Sequence, residues 1–331
     1  MLYGLLSKHI ADRFVVLIAA GFAFLLTYAL LVRPFGFLPR DGGKFVTDAK
    51  GNKVEVNKAS NGKVTGVGIL MILVYVVSIL LFIPITLAYD KCFVIMLALT
   101  VVMMITGYLD DAAKAPWGEL IKGILDFVLA VIAAITFVIY NSTDVQLFSL
   151  HFHIPKVLYV ILAVALIWGS INVTNCSDGI DGLCGTVSII ELFAFSMIFG
   201  TQLAKFSVMS VIMSFVLVAY LAFNWTPSKV LMGDAGSRAI GFLIAILAMK
   251  SGHPFAFILL SLVFLFDGGL GLLKLAVLRV FKINLFKNVR FPFHDHMKKN
   301  LKINNVGIVV IFAVCEIVMV VITGVIVHVC G

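Results

Sequence analysis

Runs of apolar residues long enough to cross a bilayer recur from one end of this 331-residue chain to the other, and that constraint precedes every other. About 20 consecutive apolar residues cross the hydrocarbon core as a helix, and inside lipid only helices or closed barrels satisfy their own backbone hydrogen bonds. The runs predict helices near 10–32, 66–89, 92–109, 119–140, 155–174, 183–200, 205–224, 237–251, 253–281 and 305–329. The first is too long for the core of a signal peptide and stops at Arg33-Pro34, so it is expected to remain as a span. The ninth is long enough to be tilted, broken or extended past the bilayer. The chain is 62% hydrophobic and 13% charged, with a mean hydropathy of +1.12. Soluble domains average about 45–50% apolar and about 25% charged, so a soluble enzyme on a single anchor is excluded. The expected fold is an all-α integral membrane protein, one polytopic domain over 1–331 with about ten spans.

With ten spans, alternate connections lie on opposite sides of the membrane, and the Lys and Arg residues divide unevenly. Eighteen fall on the side of the connections 33–65, 110–118, 224–238 and 282–304, against six on the other, with Lys274 inside the ninth run. Basic residues collect on the cytoplasmic side. Those connections, with 172–183, are therefore expected to be cytoplasmic, and both termini extracytoplasmic. The net charge of +8 is on this reading largely topological, and no nucleic-acid partner is implied. The residues after Asn141 alternate in polarity and predict a short outer β-hairpin. Cys92, Cys176, Cys184, Cys315 and Cys330 are scattered, with no metal-type spacing, and read as small apolar residues.

The polar groups that interrupt this pattern gather on the predicted cytoplasmic side. The stretch Asn172-Val-Thr-Asn175-Cys-Ser-Asp178-Gly-Ile-Asp181-Gly-Leu183 places two Asn, two Asp and two Gly at the mouth of apolar runs. A charge at membrane depth costs at least about 2.5–3.5 kcal/mol, so such carboxylates usually mark a site. If this stretch is helical, Asp178, Asp181 and Asn175 share a face, and Gly179 and Gly182 let a ligand come close. Asp110-Asp111 at a helix end repel one another unless a cation sits beside them. Asp234 lies between glycines before a helix that Ser237 is expected to cap, where unpaired N–H groups would seat a phosphate. Carboxylates beside phosphate imply Mg²⁺, and Lys114, Lys122, His294 and His296 offer further partners for anionic oxygens. The reaction class is phosphoryl or phosphoglycosyl transfer at the inner membrane surface, with one apolar substrate taken from the bilayer. Asp267 and Lys274, seven apart on the ninth run, are expected to pair structurally.

These motifs resemble those of the polyprenyl-phosphate N-acetylhexosamine-1-phosphate transferases. Asn175-Cys-Ser-Asp178-Gly-Ile-Asp181-Gly-Leu183 is similar to their N-x-x-D-G-x-D-G-L signature, and Asp110-Asp111 with Lys114 and Met232-Gly233-Asp234-Ala-Gly236-Ser237 are similar to their other two acidic motifs. Pro292-Phe293-His294-Asp295-His296 resembles the P-I-H-H-H segment of the bacterial phospho-N-acetylmuramoyl-pentapeptide transferases within that superfamily, with Asp295 in place of the central His. A Lys-rich approach to the second helix survives as Lys63-Val-Thr65-Gly66, with Lys63 or Lys58 in the place of the family lysine, and Leu231 stands where an aromatic is usual.

The resemblance implies transfer of phospho-MurNAc-pentapeptide from UDP-MurNAc-pentapeptide to undecaprenyl phosphate, giving lipid I and UMP in peptidoglycan synthesis. It also implies a homodimer in the bacterial cytoplasmic membrane. By motif, Asp234 would be the principal Mg²⁺ ligand, with Asp110 and Asp111 holding the metal or deprotonating the lipid phosphate. Asn175, Asp178 and Asp181 would order the metal site and the uridine diphosphate, Lys63, Thr65, Lys114 and Lys122 would bind nucleotide or diphosphate, and His294 and His296 the sugar diphosphate. Direct attack of the lipid phosphate is favoured over an aspartyl-phosphate intermediate. The alternatives are a GlcNAc-1-phosphate transferase and, remotely, an ion-coupled transporter, against which stand the one-sided acids and the lack of a repeat.

Overall fold

The computed structural model describes residues 4, 6, 11–33, 36–42, 45–47, 53–55, 62–86, 89–113, 115, 117–147 and 149–330. Lys58 and Lys114 lie outside the described residues. Each apolar run contains helix. Helix α1 covers Asp12–Val32, α2 Gly68–Phe82, α3 Lys91–Asp111, α4 Glu119–Tyr140, α5 Lys156–Cys176, α6 Leu183–Leu203, α7 Lys205–Asn224 and α8 Gly233–Lys250. The ninth run is broken into α9 (Ala256–Leu260), α10 (Leu262–Phe264), a π-helical turn at Leu265–Gly269 and α11 (Leu270–Phe281). A short α12 (Phe293–Lys299) precedes α13 (Asn305–Cys330). Among the described residues, β1 (Phe45–Thr47) pairs antiparallel with β2 (Lys53–Glu55), inside a segment that reads as loop in the sequence. The hairpin expected after Asn141 is present as β3 (Asp144–Leu147) and β4 (Leu150–His153).

Among the described residues, seven helices are long and apolar enough to cross a membrane: α1, α3 to α7 and α13. Their outward faces carry Leu17, Leu25, Ile132, Ile139, Ile161, Val314 and Val321, exposed apolar side chains that only a bilayer covers without cost. The chain is a multi-pass membrane protein. Helix α2 is apolar but has only 15 residues, shorter than its apolar run. Helix α8 carries Asp234, Arg238 and Lys250 and is the centre of the bundle. Every residue from Ala235 to Met249 is buried, and α8 packs chiefly against α3 and α5, with α2 and α6 beyond.

Two glycines let α8 sit this close. A Cβ on Gly68 of α2 would collide with the backbone of Gly236, and one on Gly107 of α3 would come within 2.5 Å of the Asp234 carbonyl carbon. The loss of a side chain at each position brings the ends of α2 and α3 against the start of α8. The polar termini follow: the ends of α3, α5 and α7 and the starts of α6 and α8 meet at one end of the bundle. Hairpin β3–β4 lies at the other, where Gln146 N–H donates to the Gly252 carbonyl at 2.8 Å.

The placement of Arg238 corrects the charge count. Read as a loop residue, it is 1% exposed inside α8, and its guanidinium donates to Asp126 of α4. A span-like run conceals its charges when each has a buried partner. Bulk at the α2–α8 contact should be felt at once, because overpacking a tight contact costs about 1–3 kcal/mol. Gly68→Val is expected to lower the melting temperature in detergent by several degrees. Gly21→Val, where the added Cβ meets nothing within 4 Å, should leave it unchanged.

Candidate active site

The site is built around the first turn of α8. Val64 bridges Val230, and the Leu231 N–H donates to the Val64 carbonyl at 2.8 Å. The Val67 and Gly68 N–H groups donate back to Leu231 and Met232 at 3.2 and 3.0 Å. The Met232 N–H donates to the Tyr220 hydroxyl at 3.0 Å. Held on both sides, the chain turns into the helix at Gly233, whose φ of +66° is open to glycine at little cost.

A helix start leaves its first N–H groups without partners. Here they are taken by carboxylates from other segments. Asp111, the last residue of α3, accepts from the Asp234 N–H through Oδ1 and the Ala235 N–H through Oδ2, each at 3.1 Å, and Asp178 lies close to the Gly233 N–H. The open phosphate seat expected there is therefore occupied by acids. Ser237 does not cap the helix either. It sits one turn inside, its hydroxyl placed 2.8 Å from Asn175 Oδ1 and 3.0 Å from the Gly233 carbonyl.

The remaining acids surround this turn. Lys122 of α4 bridges Asp110 and Asp234, at 2.9 Å from the latter, and Asp110 also accepts from the Trp117 N–H at 2.6 Å. Asp178 and Asp181 do not share a helix face, because α5 ends at Cys176 and both lie in the turn before α6. Asp178 is half-buried. Burial pushes its carboxyl well above the usual carboxylate range; Asp111, Asp234 and Asp181 push the same way, and the Gly233 N–H opposes them. Asp181 is held apart: the Ser228 hydroxyl and N–H donate to it at 2.7 and 3.0 Å. Lys63 donates to the Ser228 hydroxyl at 2.7 Å and lies 3.5 Å from Asp181. Thr65 is placed by its N–H on the Pro39 carbonyl at 2.9 Å, two residues from Lys63.

His294 has a partner that the sequence pattern misassigns. Asp267, 0% exposed in the π-helical turn, accepts from the His294 backbone N–H at 2.7 Å and faces His294 Nδ1 at 2.8 Å. The Ser177 hydroxyl donates to the same carboxylate at 2.8 Å. A carboxylate only accepts, so Nδ1 carries the proton and Nε2 faces Gly179, where a Cβ would come within 2.5 Å of it. Thus the His-bearing loop docks on the acidic loop. Lys274 does not pair with Asp267. It donates to the Phe286 and Val289 carbonyls at 3.0 and 2.9 Å and holds the preceding loop. His296 stacks on Phe293 and accepts from the Arg290 N–H at 3.4 Å, and among the described residues it makes no hydrogen bond to the acids. Asp295 turns outward to Lys299 at 2.8 Å.

Asp267, Asp126, Arg238 and Ser228 are the residues that motif reading passes over; the usable signal was a carboxylate inside an apolar run. A cavity of about 960 Å³ opens between α4 and α5, lined by Leu120, Ile124, Phe127, Val131, Ile161 and Trp168, with Glu119 and Arg279 paired at 3.0 Å on its rim.

Removing Asp267 strands a buried N–H and Nδ1, at about 1–3 kcal/mol for each unpaired group. Asp267→Ala is therefore expected to lower the melting temperature by several degrees, and His294→Ala to do the same. The double variant should fall short of the sum, because the two side chains serve one contact. Additive shifts would show that they act separately.

As hard-cation ligands the donors fit by kind, all carboxylate oxygens crowded enough to need a counter-charge. Lys122 already supplies one such charge between Asp110 and Asp234. Among the described residues no three acids or histidines converge as a ready-made ligand set.

The profile of "Glycosyl transferase family 4" matches residues 93–252, from α3 through α8. A phospho-N-acetylmuramoyl-pentapeptide-transferase of Treponema pallidum (strain Nichols) is 37% identical over 303 residues, covering 85% of this chain and 80% of that protein. Proteins of the same name from Staphylococcus aureus and Lactobacillus acidophilus are 32% identical over 176 residues and 29% over 203, covering 50% and 59% of this chain and 54% and 62% of their own lengths. With all three acidic motifs joined at the start of one buried helix, the chain belongs to the phospho-N-acetylmuramoyl-pentapeptide-transferase family.

Proposed function

We propose that this protein transfers phospho-MurNAc-pentapeptide from UDP-MurNAc-pentapeptide to undecaprenyl phosphate, giving lipid I and UMP in peptidoglycan synthesis. The observation that carries the reading is the gathering of Asp110, Asp111, Asp178 and Asp234 around the start of α8, with Lys122 between two of them. The basic connections support a bundle of ten spans in the bacterial cytoplasmic membrane, with this end cytoplasmic and both termini outside. The homodimer that the resemblance implies is part of the same proposal.

Lys122 and Lys63 would meet the diphosphate, and Asp234, Asp111 and Asp110 would hold Mg²⁺. When bound, the ion spreads the negative charge that develops as the phosphoryl group moves. The lipid phosphate oxygen attacks the β-phosphorus; the bond from that phosphorus to the bridging oxygen breaks, and UMP leaves with it. Asp111, with both oxygens on N–H groups of α8, is placed to orient the site, and Asp178, enclosed among acids, to respond to cation charge. His294 Nε2, fixed through Asp267, faces the acidic loop and is suited to a sugar-diphosphate oxygen. The apolar cavity between α4 and α5 is suited to a prenyl tail.

The test uses purified protein in detergent with undecaprenyl phosphate and Mg²⁺, offered UDP-MurNAc-pentapeptide or UDP-GlcNAc separately, with released UMP as the readout. Release with the muramoyl substrate alone is expected; release with UDP-GlcNAc alone would place the protein with the GlcNAc-1-phosphate transferases. Asp234→Ala should abolish release while leaving the melting temperature near that of the wild type, and EDTA should silence the wild type. Turnover that survives both would remove the metal from the account.

A further inference from the structure

Two ion pairs join α4 to α8, one helical turn apart. Lys122 and Asp126 stand four residues apart on α4, and Asp234 and Arg238 four apart on α8, so each couple shares a face. Lys122 reaches Asp234 at 2.9 Å. Arg238 donates through Nε to Asp126 Oδ1 at 3.1 Å, with Nη2 on the same oxygen. The sign of charge alternates along each helix and across the gap. The two helices make little direct backbone contact, since each packs instead on α3 and α5. The aim of Lys122 at Asp234 is therefore not set by packing between the helices that carry them.

The second pair is a poor device for stability alone. Arg238 and Asp126 are 1% and 2% exposed, and Arg238 Nη1 has no partner among the described residues. Desolvation offsets most of the attraction in such a pair, and well-packed apolar side chains often replace one at no loss of stability. What the pair supplies is register, a fixed rotation and height of α4 against α8.

We propose that Asp126 and Arg238 form a positioning pair for the transfer reaction, holding Lys122 between Asp110 and Asp234 so that its ammonium meets the diphosphate in one geometry. The proposal rests on the reading of Lys122 and Asp234 as parts of the transferase site. Neither member of the pair touches substrate; both act through their neighbours one turn away. A misplacement of about 1 Å at a reacting centre costs on the order of a hundredfold in rate, so a small slip of α4 is enough to be seen.

The experiment compares wild type with two double variants, an apolar pair (Asp126→Leu/Arg238→Met) and a charge swap (Asp126→Arg/Arg238→Asp), reading melting temperature, kcat and KM for the UDP substrate. The apolar pair is expected to melt at or above the wild-type temperature, with kcat down about tenfold or more and KM within about twofold. The swap keeps a pair but sets like charges one turn from Lys122 and from Asp234, and kcat should fall at least as far. Wild-type kcat in either folded variant would overturn the proposal, as would activity lost only in proportion to folded protein. Failure of both variants to fold would make the pair structural and overturn it equally. A wild type that releases no UMP would instead sink the transferase reading.

Discussion

The Asp111 carboxylate, accepting two N–H groups at the start of α8, is the contact on which the rest of this site depends. A buried helix start needs acceptors, and a carboxylate is a strong one, favoured also by the helix dipole. Here it comes from another helix, so satisfying α8 draws the end of α3 into place and brings Asp110 with it. The segment at the end of α5 is tied to the same helix by Asn175, whose Oδ1 accepts from the Ser237 hydroxyl, and it brings Asp178 beside the other acids. Three segments distant in sequence are thereby tied to one turn of helix, and the tie concentrates negative charge. That concentration is what Lys122 relieves.

The surrounding bundle makes the crowding possible. Buried charge is tolerated where every group has a partner, and α8 is enclosed by helices that provide them: Asp126 for Arg238, Asn175 for Ser237, Asp111 for the helix start. Close approach of α2 and α3 at Gly68 and Gly107 excludes side chains that would hold these partners apart. The break in the ninth apolar run belongs to the same logic. Asp267 lies in a π-helical turn, a departure that often accompanies functional positions, and there it fixes the His-bearing loop against the acidic one.

Much of this was legible in the sequence, for physical reasons that also explain what was not. Apolar run length reports helices in lipid directly, and each predicted run contains helix. Asp110, Asp111, Asp178 and Asp234 stood out because acids beside spans are costly, and the structure gathers them. The geometry of the helix start was hidden, since which acceptor fills an N–H is a tertiary fact: Ser237 had the cap-like residue type, but Asp111 had the position. Asp267 and Lys274 shared a face only if the ninth run stayed regular, and the π-helical turn removes that premise. Arg238 looked like a loop cation because its partner, Asp126, lies 112 positions away. The strands β1 and β2 left no clear alternation to read.

The central proposal is that these carboxylates form one cation site at the start of α8. Mn²⁺ binding to the purified protein, followed by electron paramagnetic resonance with Mn²⁺ standing in for Mg²⁺, tests it most directly. The account predicts a bound-ion signal in the wild type that Mg²⁺ displaces and that is lost in Asp234→Asn. Undiminished binding in Asp234→Asn would contradict it.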